Sequence, residues 1–182
     1  DHALACNRGV ERFRRHDEIN ARIRDHLSEA GYPAVLEPQG LANRDSRRFD
    51  GVTMAAFERG RPMAWDATVI HTCAPSHLHT SAIAVRAAAA TAEHNKKNKY
   101  ADLNERFDFR PFGVETLGAF GPHALELVES MASRIRNKTG EKGTRARIYR
   151  RLANAVQAGI ARRIIEAHSQ AAAGRFLAVP SF

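Results

Sequence analysis

Two aspartates and a cluster of lysines stand out by type and position. Asp50 follows Phe49 at the start of an apolar segment, and Asp66 lies within Ala64-Trp65-Asp66-Ala67-Thr68-Val69-Ile70, whose composition is otherwise that of a buried strand. A carboxylate in such a place is costly unless it meets a cation, a metal or solvent at a strand end. Alternation along a strand puts Asp66 and Thr68 on one face, and hairpin pairing can bring Asp50 near Asp66. Two carboxylates so placed repel unless a divalent cation joins them. Hard oxygen ligands with open water positions suit Mg2+ or Mn2+, which can activate water and stabilise charge on a phosphodiester. A strand-end or turn position accounts equally for either Asp taken alone.

Arg outnumbers Lys by 23 to 5, yet Lys96, Lys97 and Lys99 fall within four consecutive positions. A local switch from guanidinium to the compact amine suits a site that orients water or neutralises developing charge. Lys96, Lys99 and Tyr100 stand at i, i+3 and i+4 and share one helix face. A solvated helix end, with cations favourable to the dipole, gives the same composition.

The elements that must position these groups follow from periodicity. Val10, Phe13, Ile19, Ile23 and Leu27 predict a helix over 10–30. Strands are expected at 34–37, 49–57 and 63–70, the last two joined by the turn Glu58-Arg59-Gly60-Arg61-Pro62. The Ala-rich segment 76–100, without Gly or Pro, predicts one long helix; a strand follows at 109–116, with Pro111 suited to its start or to an edge. Helices are expected at 122–137 and 144–168, the second with Ile148, Leu152, Val156, Ile160 and Ile164 every four residues. The order predicts an α/β fold, a mixed sheet flanked by helices on both faces.

Composition narrows the partners. The 182 residues carry 28 Lys+Arg against 20 Asp+Glu, a net charge of +8, so a polyanion is the first partner to consider. With 43% hydrophobic residues the chain is not disordered, and no apolar run reaches the ~20 residues of a membrane span, so no membrane partner is expected. Two cysteines exclude a disulfide framework and point to a reducing compartment. The chain begins with Asp and shows no secretory signal, so it reads as an excerpt.

The succession Arg15-His16-Asp17-Glu18-Ile19-Asn20, Glu37-Pro38, Arg48-Phe49-Asp50-Gly51, Trp65-Asp66-Ala67-Thr68-Val69 and Lys96 to Tyr100 resembles the restriction-like endonuclease domain of non-LTR retrotransposons. That domain belongs to the PD-(D/E)XK superfamily. The resemblance runs over residues 1–118 and implies a helix, three strands, a helix and a strand, with extra C-terminal helices here. It divides the chain into a zinc-knuckle-like remnant at 1–9, an endonuclease-like core at 10–120, a helical extension at 121–170 and a loosely held tail at 171–182.

By that resemblance Asp50 and Asp66 hold Mg2+ or Mn2+. Thr68 stands where many members carry a strand lysine, so the amine comes from the helix as Lys96 or Lys99, with Lys96 favoured, Tyr100 beside them and Glu37 as accessory acid. A solvated strand-end residue explains Glu37 as well. Phe49 replaces the usual Pro before the aspartate. Arg14, Arg15, Arg47, Arg48 and Lys97 are expected to contact DNA, as are Arg145, Arg147, Arg150, Arg151, Arg162 and Arg163 unless these form a solvated face. His2 and Cys6 resemble half of a Cys-Cys-His-Cys motif; two ligands cannot close a tetrahedral site, so zinc is expected only with upstream cysteines in the full-length protein. His71, His77 and His79 near Cys73 fit no standard zinc spacing and read as loop polarity, Cys73 does not read as a nucleophile, and Trp65 reads as core. The implied partners are target DNA, a reverse transcriptase domain of the parent polyprotein and element RNA, and the implied location is the nucleus. The implied activity is DNA nicking that primes reverse transcription. The alternative is an inactive nucleic-acid-binding remnant.

Overall fold

The computed structural model describes residues 10–39, 47–58 and 60–176. Helix α1 (Val10–Glu29) carries Ile19, Ile23 and Leu27 on one stripe, all fully buried. Strands β1 (Ala34–Leu36), β2 (Gly51–Ala56) and β3 (Pro62–Ile70) form an antiparallel meander. Helices α2 (Pro75–Ile83) and α3 (Ala87–Lys99) and a short 3-10 turn (Ala101–Leu103) cross over to β4 (Asp108–Glu115), which pairs parallel to β3. The sheet order is β1-β2-β3-β4, and α4 (Pro122–Thr139) and α5 (Thr144–Phe176) complete the described chain. This is the mixed α/β architecture that the pattern predicts. Pro111 lies on the edge strand β4, where its missing N–H costs no ladder bond on the open side.

The two sheet faces differ in character. On one, α1, α4 and α5 pack aliphatic side chains over Met63, Trp65, Phe112 and Val114. On the other, Phe49, Tyr100, Phe107 and Phe109 form an aromatic cluster, with the Phe49 ring centroid 5.1 Å from that of Tyr100. Phe49, held in this cluster, therefore anchors the chain next to Asp50. Gly51 pairs with Trp65 across β2 and β3, and a Cβ there would lie 2.1 Å from the indole Cζ2. Gly51→Ala is expected to cost about 3 kcal/mol in urea unfolding, the upper end for overpacking, because the indole is locked in the core.

The single helix expected over 76–100 is broken. Ala84 is extended (φ −138, ψ 129) and Arg86 is left-handed (φ 65), so α2 and α3 are separate helices. Long-range polar contacts set the direction of α3. Glu115 of β4 accepts the Ala89 N–H at 3.2 Å, and Glu93 accepts backbone N–H groups of Gly113, His123 and Ala124, each at 2.9 Å. Glu93 thereby caps α4 from outside the helix, and burial pushes its pKa up. Anchored this way, α3 buries Ala88 and Ala89, whereas α2 buries nothing. These contacts outweigh the roughly 1 kcal/mol cost of a left-handed Arg.

Helix α5 runs on to Phe176, past the expected start of a loose tail at 171. The run Ala171-Ala172-Ala173 has high helix propensity. Among the described residues no helix is long and apolar enough to cross a membrane. His2 and Cys6, expected from the resemblance as half of a zinc motif, lie outside the described residues.

Candidate active site

Pairing of β2 with β3 matches Gly51 to Trp65, and one step further the Asp50 N–H donates to the Trp65 carbonyl at 2.9 Å. Asp50 thus stands beside Asp66 at the mouth of the hairpin. Both line a cleft of about 400 Å³ together with Arg15, His16, Lys96 and Tyr100. Asp66 is 5% exposed. Lys96 Nζ lies 2.7 Å from both of its oxygens, and the Tyr100 hydroxyl lies 3.0 Å from Oδ2. Asp50 Oδ2 accepts the Ala67 N–H at 2.6 Å and lies 3.0 Å from His16 Nε2.

The cleft separates the lysines. Lys96 reaches Asp66, and Lys99 lies over the Tyr100 ring with Nζ 5.0 Å from the centroid while also lining the cleft. Lys97, expected to contact DNA, faces a different depression beside Arg61 and Phe107. Burial, reinforced by Asp66, holds the Tyr100 pKa far above the ordinary phenol value, so its hydroxyl serves as a neutral donor.

Other expected residues take different roles. The Glu37 carboxylate pairs with Arg48 and points to solvent; its backbone N–H, at φ 47, donates to the Asp50 carbonyl at 2.8 Å. Glu37 therefore positions Asp50 through main chain instead of supplying a third acid. Arg48 lines the cleft. Arg47 grips Asp102 with two 2.6 Å bonds and also donates to the Lys99 carbonyl, which draws the Asp102 pKa down and fastens the segment before Asp50 to the end of α3. Arg15 lines the cleft while 5% exposed, held under α5 where Gly159 allows close approach: a Cβ at Gly159 would lie 2.5 Å from Arg15 Cγ. Arg14 is exposed on α1. Arg147 bridges Glu29 and Glu141, and Arg162 pairs with Glu18, so both tie α5 to neighbouring elements.

His16 is the functional-site residue that pattern reading left without a role. It stands one helical turn before Asn20, whose Oδ1 accepts the Trp65 indole N–H at 3.0 Å and whose amide lies 3.2 Å from His16 Nδ1. The available signal was two polar residues at i and i+4 beside the buried Ile19–Ile23 stripe.

The hydrogen bond to Asp50 raises the His16 pKa above 6.5, against the opposing effect of burial. The folded protein then holds this proton more tightly than the unfolded chain. Its stabilising contribution is complete below pH 6.5 and is lost as pH rises through the folded value. In EDTA, the stability difference between wild type and His16→Gln is expected to shrink as pH rises above 6.5 in urea unfolding. A constant difference would show that the pair does not couple to protonation.

No protein-family model matches the sequence, and a comparison with curated proteins finds no match. The site must be read from its own chemistry. Mg2+ keeps several of its waters and takes one or two carboxylates from a protein, a number that Asp50 and Asp66 can supply. No group of three metal-ligating side chains occurs among the described residues. The donor set therefore fits a hydrated hard cation better than zinc.

Proposed function

We propose that this chain is a metal-dependent DNA endonuclease domain of the PD-(D/E)XK kind, derived from a retroelement polyprotein, which nicks target DNA and releases a 3′-hydroxyl that primes reverse transcription. The observation that carries the reading is the meeting of Asp50, Asp66 and Lys96 in one cleft of a chain with net charge +8. The helix, three strands, helical crossover and parallel strand support the reading, the crossover being two helices where the resemblance implies one.

Asp50 and Asp66 would hold Mg2+ or Mn2+, which when bound supplies a Lewis acid and an activated water. The chain's own groups do the rest. The Ala67 N–H fixes Asp50, and the Tyr100 hydroxyl fixes Asp66. Lys96, on α3, would supply an ammonium to offset negative charge growing on the phosphate; its Nζ stands 2.7 Å from Asp66. Arg15 and Arg48, on the same cleft, suit the phosphates that flank the reacting one.

The test is nicking of supercoiled plasmid by the whole chain in Mg2+ or Mn2+, with EDTA as control. Nicking that EDTA abolishes supports the reading. Salt-sensitive DNA binding without nicking under either metal favours the inactive remnant, a reading that draws on Lys96 already engaging both oxygens of Asp66. Retroelement origin, the reverse transcriptase partner and nuclear location rest on the resemblance alone.

A further inference from the structure

A second cleft, of about 540 Å³, lies beside the first. The two share Arg15, Thr68 and Val69 in their linings, so they adjoin along the second half of β3. One face of α3 runs along both: Thr91 and Asn95 line the second, Lys96 and Lys99 the first. From Thr91 to Lys99 that wall is about 12 Å long at 1.5 Å per residue.

The clefts differ in charge. The first holds both carboxylates. The second is lined by Arg15, Arg163, His71 and His77, with Thr, Ser and Asn side chains between them and no Asp or Glu among its lining residues. Arg163 comes from α5, one turn beyond Gly159, whose close approach seats that helix against Arg15. Adjoining clefts with metal-binding acids in one and only cationic or neutral donors in the other are matched to a polyanion that extends past the reacting group in one direction.

We propose that this second cleft binds the phosphodiester backbone of the cleaved strand to one side of the scissile bond, and that it reads phosphate, not base. The proposal rests on the nuclease reading for the identity of the strand. It gives α5 a part in the cleft through Arg163, which lines it while only 6% exposed, and it gives His71 and His77 a place in the same wall.

Asn95 provides the test because it is exposed and lies on a helix that tolerates Glu and Lys. Binding of labelled duplex is measured by fluorescence anisotropy in EDTA, on two unrelated sequences, for wild type, Asn95→Glu, Asn95→Lys and Lys142→Gln. Lys142, exposed in the turn between α4 and α5, controls for net charge. Asn95→Glu is expected to weaken binding about tenfold on both sequences, and Asn95→Lys to tighten it and steepen the salt dependence by about one phosphate's worth. Lys142→Gln should stay within about twofold, as expected of a charge remote from the contact. If both Asn95 variants follow Lys142→Gln, the cleft is not a phosphate track. If the effect appears on one sequence only, the claim that it reads phosphate fails. Plasmid nicking separates this from the nuclease reading: nicking with unresponsive Asn95 variants overturns the cleft alone, and Asn95-dependent binding without nicking overturns the nuclease reading and, with it, the identity of the bound strand as the cleaved one.

Discussion

Asp50→Asn is expected to lower metal-dependent nicking by on the order of 10³-fold, about 4 kcal/mol of transition-state stabilisation, with DNA affinity in EDTA changed by less than about threefold. The isosteric amide keeps an oxygen for the Ala67 N–H, which Asp50 Oδ2 accepts at 2.6 Å, so the hairpin mouth retains its shape. What the substitution removes is one of two anionic ligands and the partner that raises the His16 pKa. A His16 titration moving back toward 6.5 in the variant would show that the side chain is in place and only its charge has changed. Asp66→Asn is a harsher test, since its amide would face the Lys96 ammonium that now sits 2.7 Å from both oxygens. Nicking by Asp50→Asn at more than about a tenth of the wild-type rate would sink the assignment of Asp50 as a ligand, because loss of a charged ligand removes more than one 1.4 kcal/mol step.

The order of elements was legible because it depends on short-range signals. Ile19, Ile23 and Leu27 mark α1, and Gly60 marks the hairpin that places Asp50 beside Asp66. The shared face of Lys96 and Tyr100 was equally visible, and both reach Asp66. What escaped was set by contacts far apart in sequence. The break at Ala84–Arg86 follows from Glu93 and Glu115, which pair with backbone groups 20 to 31 residues away. Arg47 was legible as a cation, but Asp102, 55 residues on, claims it. Lys97 has the same type as its neighbours and differs only by one step around α3, which turns it to the other side. Glu37 shows the converse: its carboxylate drew notice, whereas its left-handed backbone, which holds the Asp50 carbonyl, leaves no mark in composition.

The pairing of Lys96 with Asp66 yields the second large effect, on stability. Lys96→Met leaves a 5%-exposed carboxylate with only the Tyr100 hydroxyl, and is expected to cost about 2–3 kcal/mol in urea unfolding, below the range for fully buried pairs because Lys96 keeps 27% exposure. Adding Asp66→Asn should restore most of that loss, since a neutral amide no longer needs a counter-charge. A coupling energy below about 0.5 kcal/mol would place the pair with ordinary surface bridges and remove the argument that Lys96 is held for chemistry. The same variant separates the ammonium from the metal. If Mg2+ competes for the oxygens that Lys96 engages, it should stabilise Lys96→Met more than it stabilises wild type, where binding must first displace the ammonium. Equal stabilisation would mean that the cation and the ammonium do not share Asp66, and the metal would then have to be held through Asp50 without it.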